Sequence, residues 1–147
     1  MAKAFCAHGG LAVGTSETIA RLWQSFAARG AVSGTSMGAA MTAASLRHIR
    51  AHPERLDKLR ANTQALKAMI EGLGFRPARN ISPVAAFEHG SALDMERIQK
   101  TLWEEGIFVI HSRYLGSGPD GTLRLAAFAD HETADFERLE AALSALL

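Results

Sequence analysis

The stretch SPVAAFEHGSALDMERIQKTLWEEGIFVI, residues 82–110, decides the fold. Ser82 to Glu88 is a short apolar run fit for a strand. From Ser91 to Glu105 the pattern turns helical, with Met95, Ile98 and Leu102 recurring on one face, and Gly106 closes the helix. Ile107, Phe108, Val109 and Ile110 follow as a β-branched and aromatic strand. Downstream, Gly116 to Gly121 is a dense turn signal. A strand from Thr122 to Phe128 comes next, then a last helix with Phe136, Leu139, Leu143 and Leu146 at helical spacing. The order strand, helix, strand, strand, helix predicts an α+β layer: a small, mostly antiparallel sheet covered by helices.

Upstream the chain reads as a helical segment preceding that layer. Pro53 suits the first turn of a helix carrying Leu56, Leu59, Leu66, Met69, Ile70 and Leu73 as an apolar stripe, which Gly74 ends. Ala39 to Arg50 is Ala-rich, with small side chains that permit close packing. Before it, Ser33-Gly34-Thr35-Ser36 is a polar loop. Ser16 is read as the N-cap of an amphipathic helix holding Ile19, Leu22, Trp23 and Phe26, running to Gly30. Ala4 to Val13 is small and apolar around Gly9-Gly10 and reads as a pair of short buried strands meeting there. The division expected is 1–50 and 51–147.

Composition excludes several classes. With 147 residues, 48% hydrophobic side chains and a formal net charge of +1, the chain is globular and not disordered. Near-neutral charge provides no basic footprint for nucleic acid or an anionic membrane. No apolar run approaches the ~20 residues of a membrane-spanning helix. One cysteine, Cys6, can form neither an internal disulfide nor a thiol pair for zinc, so a reducing, cytoplasmic setting is expected. His48 and His52 lie four apart on a helix, but no third ligand accompanies them and the HExxH pattern is absent, so they read as a solvated pair. No Gly-x-Ser-x-Gly elbow singles out a serine nucleophile.

Taken in isolation, Lys3 reads as a solvated terminal lysine and Gly9-Gly10 as a tight turn. Together, Lys3-Ala4-Phe5-Cys6-Ala7-His8-Gly9-Gly10 resembles the segment around the cofactor lysine of fold-type I pyridoxal-phosphate enzymes, in the class II aminotransferase and α-oxoamine synthase family. The family usually has Gly where Cys6 stands. The resemblance continues through Ser33-Gly34-Thr35-Ser36, Gly106-Ile107-Phe108-Val109 and Gly121-Thr122-Leu123-Arg124-Leu125, with His131 seven residues after Arg124.

What the resemblance implies is specific. Lys3 would carry pyridoxal 5'-phosphate as a Schiff base and shuttle a proton at the substrate α-carbon. Thr35, or Ser33 in second place, would reach across a homodimer to the neighbour's cofactor phosphate, although Gly38-Ala39 stands where the family has a Pro pair. Arg124 would hold a substrate carboxylate with its bidentate fork. Amino-acid and acyl-CoA substrates are implied, with aminotransferase and acyl-CoA:amino-acid acyltransferase chemistry both open. Residues 1–50 would be a remnant of the large cofactor-binding domain and 51–147 the small domain. The family's ring-pairing aspartate, ring-stacking histidine and most of its phosphate loop precede the lysine and have no counterpart here, so the isolated chain is expected to be incomplete for catalysis. A folded, non-catalytic dimerising module is the alternative. Two local readings compete with these roles: Arg124 facing solvent or pairing with Asp130 or Glu132, and Thr35 capping the Ala-rich helix.

Overall fold

A computed structural model describes residues 1–30, 34–114 and 117–147, and divides the chain into two compact units, Met1–Pro53 and Glu54–Leu147.

In the first unit, residues 1–10 form a turn where paired strands were expected. The reason is local bonding: the Met1 ammonium donates to the Gly9 carbonyl at 2.9 Å, and the Phe5 and Ala7 N–H groups both return to the Met1 carbonyl. These bonds close the segment on itself, which sets it in a turn rather than an extended strand. Helix α1 is Ser16–Gln24, and its N-cap is Thr15 rather than Ser16, because the Thr15 Oγ1 accepts the Thr18 N–H at 3.3 Å. The helix does not run on to Gly30. Ser25 sits extended (φ −67°, ψ 150°) and its Oγ accepts the Ala28 N–H, starting a separate short helix α2, Phe26–Arg29. Serine offers the backbone a local alternative to the helical ladder, and here that alternative prevails.

Helix α3, Ser36–Ala51, is capped by Thr35, whose Oγ1 accepts the Gly38 N–H at 3.0 Å. Gly38, Thr42 and Ser45 form one stripe of α3 that receives the N-terminal turn. A Cβ on Gly38 would lie 3.8 Å from the His8 nitrogen, Thr42 bonds the Gly38 carbonyl and the Met1 sulfur, and Ser45 donates to the Phe5 carbonyl at 3.3 Å. Small side chains at i, i+4 and i+7 are what let the loop backbone approach.

The second unit is the α+β layer read from the sequence. Strands β1 (Val84–Phe87), β2 (Ile110–Ser112) and β3 (Thr122–Ala126) form an antiparallel sheet in the order β1-β3-β2. Helices α4 (Pro53–Gly72), α5 (Ala92–Glu104) and α6 (Thr133–Leu146) supply Leu66, Met69, Ile70, Met95, Ile98, Leu102 and Leu143 to a core closed by Ala85, Phe87, Leu123 and Leu125. Ser91 caps α5 in a reciprocal box with Asp94. The α4 stripe is buried only in its later turns, and Leu56 is exposed.

All three strands are shorter than the apolar runs that signalled them. β1 begins at Val84 rather than Ser82, and β3 ends at Ala126 rather than Phe128, because the Phe128 carbonyl is taken by Asn62 at 2.8 Å. The strand expected over 107–110 begins only at Ile110. Gly106 adopts φ +77°, the Ile107 N–H returns to the Leu102 carbonyl, and the Trp103 Nε1–H takes the Val109 carbonyl at 2.7 Å. The end of α5 therefore pins residues 107–109 before they can pair with β3.

Candidate functional site

In the first unit, Lys3 stands exposed in the N-terminal turn, and among the described residues its amine has no hydrogen-bond or ion-pair partner. Three residues on, Cys6 is exposed and left-handed at φ +49°, a conformation costly for any residue with a Cβ. The turn lies against the first turn of α3, and the same Gly38 that faces the His8 backbone stands 3.1 Å, by its would-be Cβ, from the Thr35 hydroxyl oxygen. Lys3's turn and Thr35 thus meet at the N-terminal end of one helix. Thr35 is the helix cap, as one of its two readings held, and it accepts the Gly38 N–H with its oxygen while its own proton stays available to donate. Gly38, standing where the family has proline, is explained by this close approach. Ser33 lies outside the described residues.

In the second unit, Arg124 occupies the middle of the central strand, facing Ala86 on β1 and Ile110 on β2. Strand alternation buries Leu123 and Leu125 among the helices and turns Arg124 and Ala126 to the opposite, uncovered face. Of the competing reading, pairing fails, because Asp130 is bound by Arg55 at 2.9 Å and Glu132 by Lys58, both from α4. Exposure to solvent holds, and among the described residues Arg124 has no ion-pair partner.

Beside Arg124 a cleft of ≈620 Å³ opens where β2 leaves β3. Leu125 and Ala126 form one wall, the diverted segment 107–110 the other, and Trp103, Phe128, His131 and Phe136 complete it. The His131 Nδ1 accepts the Phe128 N–H at 3.3 Å, and its ring lies edge-on between Phe128 and Phe136 at centroid distances of 5.4 and 5.7 Å. Below the sheet, the Asn62 amide donates to the Phe128 and His131 carbonyls at 2.8 and 2.9 Å. On the far side, the His111 Nε2 meets the Asp120 carbonyl at 2.7 Å and its Nδ1 lies 3.7 Å from the Glu96 carboxylate, locking the β2–β3 turn. Sequence reading overlooked Asn62, His111 and the cleft aromatics. Only the spacing of His131 from Arg124 hinted at them; the bonds of Asn62 span 66 and 69 residues, and Trp103 acts through a departure from strand pairing. Elsewhere, the Asp94 carboxyl is held below its ordinary value, first by the Ser91 N–H and then by the Ser91 hydroxyl. That pair caps a helix. His48 lies in the last turn of α3, and His52 is the residue that caps its C-terminus rather than part of the helix; their ring centroids are 4.5 Å apart.

The family profile for aminotransferase class I and II matches residues 1–143. A curated relative, 8-amino-7-oxononanoate synthase of Thioalkalivibrio sulfidiphilus, is 34% identical over 148 residues, covering 97% of this chain and 37% of the relative. Among solved structures, 8-amino-7-oxononanoate synthase from Francisella tularensis superposes with a TM-score of 0.68 at 18% identity, over 90% of this chain and 38% of that one. A serine palmitoyltransferase from S. paucimobilis, solved with a bound pyridoxal-phosphate adduct, gives 0.68 at 20% identity, over 80% and 30%. The fold is therefore that of fold-type I pyridoxal-phosphate enzymes. The chain belongs to the class I and II aminotransferase family. It spans 37% of the length of the curated relative it matches. Among the described residues, no helix is long and apolar enough to cross a membrane.

Proposed function

We propose that this chain is part of a pyridoxal 5'-phosphate-dependent transferase, an aminotransferase or an acyl-CoA:amino-acid acyltransferase of the α-oxoamine synthase kind. Lys3 is assigned to the cofactor, Thr35, with Ser33 in second place, to the phosphate of the cofactor held by the neighbouring subunit of a dimer, and Arg124 to the substrate carboxylate. Residues 1–50 are then the cofactor-domain part of the chain and 51–147 the small domain. The observation that carries the reading is Arg124, projected from the open face of the central strand while the neighbouring acids are engaged by α4.

The residues present fit the group. An exposed primary amine is what the cofactor's aldehyde carbon requires, and Lys3 offers one with no recorded partner. Thr35 retains a hydroxyl proton at the start of a 16-residue helix, where orphan N–H groups and the helix dipole favour phosphate. The cofactor, when bound, supplies an electron sink for the bond broken at the substrate α-carbon. Lys3 then moves a proton at that carbon, and Arg124 orients the substrate by two parallel hydrogen bonds to its carboxylate. Amino-acid and acyl-CoA substrates follow from the family assignment. The exposed Cys6 thiol suits a reducing cytoplasm.

A visible-absorbance titration of the chain with pyridoxal phosphate, beside Lys3→Ala, tests this directly. A saturable band that depends on Lys3 is expected, and identical responses from the two proteins would remove Lys3 from the assignment. A second reading, a non-catalytic dimerising module, rests on one observation: Trp23 and Phe26 of the first unit are 64% and 96% exposed. Pairing with a second copy of the chain would bury them, and that outcome is compatible with either reading.

A further inference from the structure

Ser45 lies in the second half of α3, and its hydroxyl bonds outside its own helix. We propose that Ser45 is a positioning residue for Lys3: by holding the Phe5 carbonyl it seats the N-terminal turn on α3 and so fixes where the Lys3 amine meets the cofactor's aldehyde. The inference rests on the assignment of Lys3 to the cofactor and adds to it the residue that sets the place of that amine.

The direction of the hydroxyl carries the argument. A serine or threonine inside a helix ordinarily turns its proton back to the carbonyl four residues earlier. Thr42, on the same stripe, does this: it bonds the Gly38 carbonyl at 2.8 Å, and with its one proton spent there its nearness to the Met1 sulfur is packing. Ser45 instead donates to the Phe5 carbonyl at 3.3 Å, across 40 residues of chain. That bond holds a closed loop. The Phe5 and Ala7 N–H groups return to the Met1 carbonyl and the Cys6 N–H to the Lys3 carbonyl, so residues 1–7 move as one piece. Ala7 is buried, and the His8 backbone passes the bare α-carbon of Gly38, whereas the Lys3 and Cys6 side chains are exposed. The loop thus has an inner side, seated on α3 by Ser45, and an outer side that carries the amine. A lysine amine rides on a flexible stem of four methylenes, and among the described residues no side chain holds that of Lys3, so anchoring its backbone is how the fold places it. Removing the Ser45 hydroxyl leaves the seat to packing alone, and the amine samples a wider volume before it meets the aldehyde carbon.

The test is a visible-absorbance titration of the full chain with pyridoxal phosphate, run on the parent, Ser45→Ala, Ser45→Thr and Lys3→Ala. Ser45→Ala should raise the half-saturating concentration of the Lys3-dependent band about threefold to tenfold, the span one hydrogen bond commands, and Ser45→Thr, which keeps the hydroxyl, should return it to within about twofold. Two readouts without the cofactor separate placement of the amine from its reactivity. Reductive methylation with formaldehyde, resolved at Lys3 by peptide mass, should run at the parent rate in Ser45→Ala, because a small reagent reaches an exposed amine wherever it stands. Exchange of the Ala7 amide should quicken in Ser45→Ala and stay at the parent rate in Ser45→Thr. The inference is overturned, with Lys3 keeping its assignment, by any of four results: a parent-like half-saturation in Ser45→Ala, no recovery in Ser45→Thr, an Ala7 amide indifferent to Ser45→Ala, or Lys3 methylation that falls in step with the band. If Lys3→Ala gives the parent's band, the assignment of Lys3 falls and the inference falls with it.

Discussion

Cys6 shows how far a single residue can be read from sequence. Its departure from the family's glycine was visible in the linear chain, and the structure provides the physical meaning: φ is +49°. A left-handed residue with a Cβ costs about 1–2 kcal/mol, whereas glycine's extra freedom in the unfolded chain costs about 0.5–1 kcal/mol. Strain outweighs chain entropy here, so Cys6→Gly should stabilise the first unit by about 0.5–1 kcal/mol, measured by urea denaturation, and Cys6→Val should destabilise it. Asp94 gives a pH dependence at the same scale. Its folded-state pKa is depressed by the Ser91 N–H and hydroxyl, so its contribution is present above the unfolded carboxylate value and is lost as pH falls through the folded one. Asp94→Asn should lower stability near neutrality and flatten the acid limb below about pH 4, read by thermal melts across pH. Ser91→Ala, which removes the cap hydroxyl, should cost about 1 kcal/mol.

At the scale of elements, the sequence was legible wherever hydrophobic period and punctuation agreed. Helix α5 carried its apolar face and its Gly106 stop in plain view, and both hold, with Ser91 serving as its cap rather than its first residue. Element ends were illegible where a side chain from elsewhere claims a backbone group. Trp103 takes the carbonyl of Val109 and Asn62 that of Phe128, and neither bond has a local signature. The same two bonds shape the cleft, which is why the site escaped sequence reading even though Arg124 did not. Trp103→Phe keeps an aromatic ring, smaller than indole, and removes the donor. It should release residues 107–109 from α5, seen as faster amide exchange there, at a stability cost of about 1 kcal/mol for one hydrogen bond.

At the scale of the whole molecule, the two units are unequally built. Glu54–Leu147 holds a continuous core of thirteen buried apolar residues, whereas Ala7, Gly38 and Thr42 are the buried residues of Met1–Pro53 among those described. Leu11, Val13, Trp23, Phe26 and Met37 are all more than half exposed. Amide exchange should therefore be slow in the second unit and close to the unprotected rate across α1 and α2. The chain should also self-associate through the first unit, with the apparent mass rising in light scattering as concentration increases and falling in Phe26→Asp.

The loop between β3 and α6, which carries His131, is fastened to α4 by three side chains on one helical face. Two of them, Arg55 and Lys58, hold by charge at the surface, while Asn62 holds by neutral hydrogen bonds. Ionic strength therefore divides the fastening. At about 1 M salt, where charges are screened within about 3 Å, the outer two contacts weaken and the amide of Asn62 bears the loop alone. Salt thus becomes a control on the cleft, loosening the loop that carries His131 by way of the α4 contacts alone.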